Sequence, residues 1–435
     1  MTADSIPAPL IAACSGIRLA RPADSVAGAQ PSYVASPAST QEASAVMRAA
    51  SSLSLAVLPR GAGTRLEWGA PPSRCDLVIE TTRMDQVLEH AAGDLVARVQ
   101  AGASVRHLAT VLRGAGQQLA LDPPASAGAG GARAGSGLQT GKVGTVGGIL
   151  ATGVAGPRRL RYGTPRDLLI GITVIRADGT VAKAGGKVVK NVAGYDIGKL
   201  FAGSYGTLGL ITEAVFRLHP LPETSVFVTL DCADAAAAHA AMSAAVASPL
   251  APAAAEIDWP GRETPIRAGI LLEGDPAGAA ERAARMRELL GRAAVICEAP
   301  PPWWGLGAAA ADGTVVRIAF WASALPRVLA AIRSAAAAAG LDPAVSGSAA
   351  AGVIHAAVHK DAGPAAVTQF LTAVRAALRP GAPPRGSAVV LHAPPAVRDV
   401  IDMWGPVPSL SLMRAVKDQF DPEHRMAPGR FAGGI

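Results

Sequence analysis

Two glycine-rich stretches constrain this chain more than any other feature. The longer, GTVGGILATGVAGPRRLRYG at residues 144–163, holds six glycines, Gly144, Gly147, Gly148, Gly153, Gly156 and Gly163, with Arg158, Arg159 and Arg161 among the last of them. The shorter, PRGAGT, spans residues 59–64. Each is flanked by β-like sequence. Glycine lets consecutive N–H groups face one cluster of oxygens with no Cβ in the way, so two such turns brought together can grip a diphosphate without a metal. Arg60 would add charge and Thr64 a hydroxyl donor. Taken singly, each stretch is equally readable as a tight turn.

The named phosphate motifs do not fit. A Walker A loop needs Gly, four residues, then Gly-Lys-Ser/Thr, but the Gly-Lys pairs beginning at 141, 186 and 198 are followed by Val, Val and Leu. The dinucleotide fingerprint fails in GSGLQTG, which has one residue too many between its second and third glycines. A Rossmann site is therefore disfavoured.

A chain of 435 residues is too long for one core and should divide into two or three domains. Mean hydropathy is positive, +0.30, because alanine dominates the apolar half. The longest run free of acids, Lys and Arg, Ala235 to Ala255, carries His239, Pro249 and Pro252, which suits an alanine-rich helix better than a membrane span. The N-terminus opens with an acid and lacks a cationic segment, so a cytoplasmic protein is expected, at most peripheral to a membrane through partners. Cys14, Cys75, Cys232 and Cys297 are far apart with no C-x-x-C, which argues against zinc, iron–sulfur and disulfide frameworks; no metal is expected. The net charge of +7 is scattered without base-stacking aromatics, so an anionic cofactor or acidic partner explains it as well as nucleic acid does, and no nucleic acid is expected.

Along the chain, Ser39 and Glu42 form a capping-box pattern opening a helix with Val46, Met47 and Leu53 on one face. Short strands follow at LAVL, DLVIE and DLVARVQAG, and Ser104 caps a helix with Leu108, Val111 and Leu112. Residues 122–141 read as loop. A hairpin turns at Asp178 and Gly179, and HPLPE marks a border. Beyond it strands (VFVTL, AGILLEG, VVRIAF, GVIHAAV, SAVVLHA) alternate with alanine-rich helices, which predicts a second α+β domain whose antiparallel sheet is covered by helices.

PRGAGT, TVGGILATGVAGPRRLRYGTPRDLLIG, KNVAGYDIGKLFAGSYGTLG and the terminal KDQFDPEHRMAPGRF occur in the order found in FAD-linked oxidases of the vanillyl-alcohol oxidase type, with a PCMH-type FAD-binding domain. Within that family the chain most resembles the E-type FAD-binding component of bacterial glycolate oxidase. The resemblance is strong over residues 28–220 and weak beyond, apart from the tail. It implies an α+β fold: an N-terminal extension (1–27), an FAD-binding domain of two α+β subdomains (28–220), a cap domain over the flavin (221–398), and a C-terminal segment returning to the FAD domain (399–435). It implies that Pro59, Arg60, Gly61, Ala62, Gly63 and Thr64, with Thr145, Val146, Gly147, Gly148 and Thr152, wrap the pyrophosphate of FAD. Gly153, Gly156 and Gly163 would let the chain pass close to the ribityl chain and flavin ring, while Ile211 and Thr212 would meet the adenine end. PRGAGT has no histidine where covalent members carry one, so the FAD should be non-covalent.

The resemblance further implies a flavin subunit of a glycolate oxidase or dehydrogenase, oxidising a 2-hydroxy acid such as glycolate to glyoxylate and passing electrons to an iron–sulfur subunit beside a second FAD subunit. The histidine-rich metal motif of related hydroxyacid dehydrogenases is missing. Weak catalytic candidates are Lys190, beside Asn191, Tyr195 and Asp196, and His355, although a lone strand histidine is more often a satisfied structural residue. His359 and His392 stand apart. Arg158, Arg159 and Arg161 could anchor an acid substrate or the flavin, or form a basic docking turn. Asn-Pro-Gly of the family tail is Ala427, Pro428 and Gly429 here, one polar side chain fewer. Two alternatives stay open: a self-sufficient FAD enzyme for another alcohol or hydroxy acid, and a non-catalytic flavin-holding electron-transfer scaffold.

Overall fold

Strands Tyr33–Ala35, Leu77–Glu80 and Val57–Arg60 lie side by side and parallel, with Ile17–Leu19 antiparallel on the outer edge of Tyr33–Ala35. The molecule is a computed structural model that describes residues 5–123, 144–187, 195–306, 312–379 and 385–435. Helix Thr40–Ser52 connects two of the parallel strands, and Ala43, Val46, Met47 and Ala50 on its inner face are fully buried. Ser39 caps it by accepting from the Glu42 N–H at 3.1 Å. The expected reciprocal bond is absent among the described residues: the Glu42 carboxylate accepts instead from the N–H groups of Ala38 (2.7 Å) and Ser15 (3.1 Å), tying the N-terminal extension to the helix.

A second, five-stranded antiparallel sheet runs Val87–Ala91, Val96–Gln100, Leu210–Arg217, Leu169–Ile175, Val181–Gly185. Its outermost hairpin turns at Asp178 and Gly179, where Gly179 has φ +84° and a Cβ would stand 2.9 Å from the Arg48 backbone nitrogen. Ser104 accepts from the His107 N–H and opens helix Val105–Arg113, whose Leu108 and Leu112 are buried against this sheet.

The third sheet has eight antiparallel strands, in the order Val295–Cys297, Thr224–Cys232, Ile266–Gly274, Ala254–Trp259, Ala344–Gly347, Val353–Val358, Thr314–Phe320, Gly386–His392. Helices Ala235–Ala247, Pro276–Leu290, Leu325–Ala338 and Pro364–Ala377 share its core. The fold is thus α+β, with the expected helix-covered antiparallel sheet. The alanine-rich run is not one helix. It stops at Ala247, ahead of Pro249, and Ala254–Trp259 becomes an interior strand. That strand and Ala344–Gly347 escape sequence reading because short alanine-rich segments carry little period-2 signal.

After residue 399 the chain turns back. Helix Leu410–Phe420 precedes a bridge between Met426 and Val57, with the Val57 N–H donating to Arg425 O and the Ala427 N–H to Val57 O, both at 2.8 Å. The tail therefore continues the first sheet beside the strand that leads into PRGAGT. Cys14, Cys75 and Cys232 are buried free thiols and Cys297 is half-buried.

Candidate functional site

The two glycine stretches meet. A cleft is lined by residues 58–66 on one side, by Thr145, Gly148, Ala151 and Thr152 on the other, and by Tyr205, Gly206 and Arg430 at its end. Gly61 stands so close to the second stretch that a Cβ would come within 2.1 Å of Thr145 Oγ1, and a Cβ on Gly206 would stand 3.2 Å from the Pro59 ring.

Their contributions differ. The backbone N–H groups of Gly61, Ala62, Gly63 and Thr64 donate to no acceptor among the described residues, and Gly63 has φ +74°, a conformation that favours glycine. They are open donors at the rim of the cleft. The second stretch is a short helix rather than a loop, Val146–Thr152, capped by Thr145, whose Oγ1 accepts from Gly148 N (3.3 Å), and closed by Gly153 at φ +63°. Its first N–H groups are already used: Val146 donates to Ala103 O (2.9 Å) and Gly147 to Ala101 O (2.8 Å). Gly147 is a glycine because a Cβ would sit 2.8 Å from the Ala101 Cβ, so it docks the helix on the five-stranded sheet and does not line the cleft.

Arg60 lines the cleft, but its Nη2 pairs with Asp24 (2.9 Å) and Glu80 (3.1 Å). The charge expected to reach a phosphate is therefore engaged in pinning the loop. Arg18, at 2.6 Å, and Arg60 together hold the Asp24 carboxyl far below the usual carboxylate range.

Other expected site residues serve internal packing. A Cβ on Gly156 would meet Asp122 O at 1.8 Å, and one on Gly163 (φ +83°) would meet the Asp167 Cβ at 2.8 Å. Ile211 is core. Thr212 is fully buried, its carbonyl accepting from Ala101 N (2.8 Å) and its hydroxyl donating to Thr173 O (3.3 Å). Lys190 and Asn191 lie outside the described residues. Tyr195 and Asp196 are exposed, Asp196 pairing with Lys199 at 2.9 Å.

Two further lining residues, Tyr205 and Arg430, fall inside stretches that carry the resemblance, yet neither side chain was expected at the site. Tyr205 holds φ +56°, is 9% exposed, and its hydroxyl has no partner among the described residues. Arg430 comes from the tail, 362 positions beyond Trp68, and donates to the carbonyls of Leu66 (2.9 Å) and Trp68 (2.7 Å), so it braces the first loop. Only tertiary structure brings the tail here. Open backbone donors, glycine-lined walls and an orphaned buried hydroxyl fit a large, oxygen-rich anion such as the diphosphate of FAD.

The three arginines part company. Arg158 ties the first unit to the eight-stranded sheet: its N–H donates to Asp122 Oδ2 (3.0 Å), and its guanidinium lies 3.6 Å from Glu273 on strand Ile266–Gly274. The Tyr162 hydroxyl donates to the same Glu273 (2.7 Å), and burial pushes the phenol up to about 12. Arg161 lies over the Tyr162 ring at 5.6 Å. Arg159 donates to the carbonyls of Ala155 and Gly156. His355, in strand Val353–Val358, is half-buried, and desolvation, then Arg159 and Arg317, push its imidazole down to about 3. His359 lies past the strand end, 3.1 Å from Asp361, and His392 bonds to Gly313 O at 2.7 Å.

A family model described as an FAD binding domain matches residues 31–142 and 133–185. Over 257 residues the chain is 33% identical to glycolate oxidase subunit GlcD of Bacillus subtilis, an alignment covering 56% of this chain and 52% of the relative. Similarity to D-lactate dehydrogenase of Archaeoglobus fulgidus is 35% over 187 residues (43% and 38%), and to glycolate oxidase subunit GlcE of Escherichia coli 35% over 140 residues (32% and 36%). The chain thus spans about half the length, or less, of these curated relatives. Among solved structures, p-cresol methylhydroxylase with substrate bound superposes with a TM-score of 0.72 at 14% identity, covering 97% of this chain and 95% of that one. Alkyldihydroxyacetonephosphate synthase gives 0.65 at 17% identity, covering 92% and 76%. These likenesses show the fold.

Proposed function

The chain carries an FAD-binding domain in a PCMH-type fold, and from that premise we propose that it is an FAD-dependent 2-hydroxy acid oxidoreductase, the flavin subunit of a glycolate oxidase-type complex. The observation that carries the proposal is the convergence of the two glycine stretches on one cleft. The diphosphate of FAD would lie against the open N–H groups of residues 61–64, with Gly148 and Thr152 as the opposite wall and the Tyr205 hydroxyl as a further donor. When bound, FAD supplies a two-electron acceptor for the hydride leaving the substrate Cα. The chain's own part is to hold the cofactor, to position the hydroxy acid and to keep water out between the first unit and the eight-stranded sheet. Two of the relatives are named as glycolate oxidase subunits. The cysteines here are scattered, so an iron–sulfur relay would belong to a partner.

Purified protein should be yellow and release its flavin on acid precipitation, since PRGAGT offers no histidine for a covalent link. Glycolate or D-lactate added without oxygen should bleach the flavin, in the isolated chain or in the complex that co-purifies with it. A colourless protein that stays colourless after incubation with FAD would end the cofactor assignment. A yellow protein that neither acid bleaches, alone or in the complex, would end the substrate assignment.

A further inference from the structure

The eight-stranded sheet has one face against its helices and one toward the FAD-binding unit, and the second face carries charge that the cofactor reading leaves unexplained. Ser346 pairs with His355, and His355 with Arg317, across three neighbouring strands. Alternation along a strand puts these three side chains in one row on one face. Their neighbours Val345, Ile354, Val316 and Ile318 are fully buried in the core shared with the helices, so the row points the other way. Helix Arg159–Tyr162 packs on strand Ala254–Trp259 and on the turn Ala349–Ala351, which brings Arg159 to the same region.

The balance of charge there is unusual. Arg317 makes no hydrogen bond or ion pair among the described residues, and only the two carbonyls of its own turn hold Arg159. Burial, with the Arg317 charge nearby, lowers the proton affinity of Arg159, and both guanidinium groups act on the His355 ring. The two acids that act on Arg159 are weak counter-charges: burial pushes Glu256 up to about 8, where it accepts the Ser348 hydroxyl, and Asp122 is already engaged by Arg158. Ser346, 7% exposed, has an Oγ with no partner among the described residues. Two like charges held together beside a neutral imidazole and an idle hydroxyl call for an anion from outside.

We propose that Arg317 and Arg159, with Ser346 Oγ, seat the carboxylate of a small 2-hydroxy acid, and that the neutral His355 ring accepts the hydrogen bond of its hydroxyl. The proposal rests on the 2-hydroxy acid oxidoreductase reading and assigns its substrate-binding residues. It also separates Arg159 from Arg158, whose charge Asp122 and Glu273 already balance.

The test uses 2-hydroxy-2-methylpropanoate, a 2-hydroxy acid with no Cα–H to lose, titrated calorimetrically into the flavin-loaded protein. The unaltered protein should bind it, and the corresponding neutral amide should not compete. Arg317→Met should weaken binding by roughly tenfold or more, and Arg317→Lys should recover part of it. Flavin content and melting temperature should be unchanged in both. Ser346→Ala, a smaller change, should weaken binding by about threefold. If Arg317→Met binds the acid like the unaltered protein, or if the unaltered protein binds none while holding its flavin, the assignment is overturned and the cofactor reading survives. Arginine-dependent binding in a protein that holds no flavin would sink the cofactor reading alone. Should Arg317→Met fold poorly, Arg317→Gln and Arg317→Lys make the same comparison.

Discussion

At the scale of single residues, neighbouring glycines do different work. Gly61→Val would drive a side chain into Thr145 and wedge the two stretches apart. We expect it to lose bound flavin, checked by the flavin-to-protein ratio. Gly147→Val instead meets Ala101 at the sheet, and should destabilise the fold by roughly 1–3 kcal/mol, read from denaturant unfolding. Asp24 offers a test in acid. Its folded pKa is depressed by Arg18 and Arg60, so the stability it contributes is present above its unfolded pKa of about 3.9 and is lost as pH falls below that. Asp24→Asn, which leaves Arg60 short of a counter-charge, should cost roughly 3 kcal/mol at pH 7 and flatten the acid limb of a stability-against-pH curve.

Among elements, the C-terminal segment is held by a buried clasp. Lys417 Nζ donates to Thr207 O (2.8 Å), Met426 O (2.9 Å) and Asp421 Oδ2 (2.6 Å), which uses all three ammonium protons. Asp421 Oδ2 also accepts from the Met426 N–H at 2.7 Å, and neither side chain of the ion pair reaches solvent appreciably. Lys417→Met would strand the Asp421 charge, so we expect a loss of about 3–5 kcal/mol. Lys417→Met with Asp421→Asn should recover part of that loss, and a double-mutant cycle of unfolding free energies measures the coupling. Because Arg430 of the same segment braces the first glycine loop, Lys417→Met should also weaken flavin retention.

For the whole molecule, the contact between the FAD-binding unit and the eight-stranded sheet mixes apolar packing with a buried acid, Glu256, beside Arg159. Burial raises Glu256 from 4.5 to about 8, so the folded state holds a proton that the unfolded chain has released. The resulting stability is complete below about pH 4.5 and falls by roughly 1.4 kcal/mol per unit as pH rises through that window. Glu256→Gln should remove this slope and leave the protein the more stable form at pH 8, checked by melting temperature across pH. Tyr162→Phe removes one of the bonds that join the two units at Glu273, and should cost about 1 kcal/mol.

The sequence by itself determined the α+β class, the alternation of strands and helices beyond HPLPE, and the two glycine stretches, because local periodicity and missing Cβ atoms are written in consecutive residues. Tertiary structure alone decided which glycines face the cleft and which face Ala101 or Asp122, since a glycine does not announce the neighbour it makes room for. It also decided that Arg60 turns to Asp24, that Tyr205 and Arg430 close the cleft, and that Arg159 and Arg317 share a region while Arg158 is neutralised. Those outcomes depend on partners distant in the chain, and the charge of a buried group is set by the company the fold assembles around it.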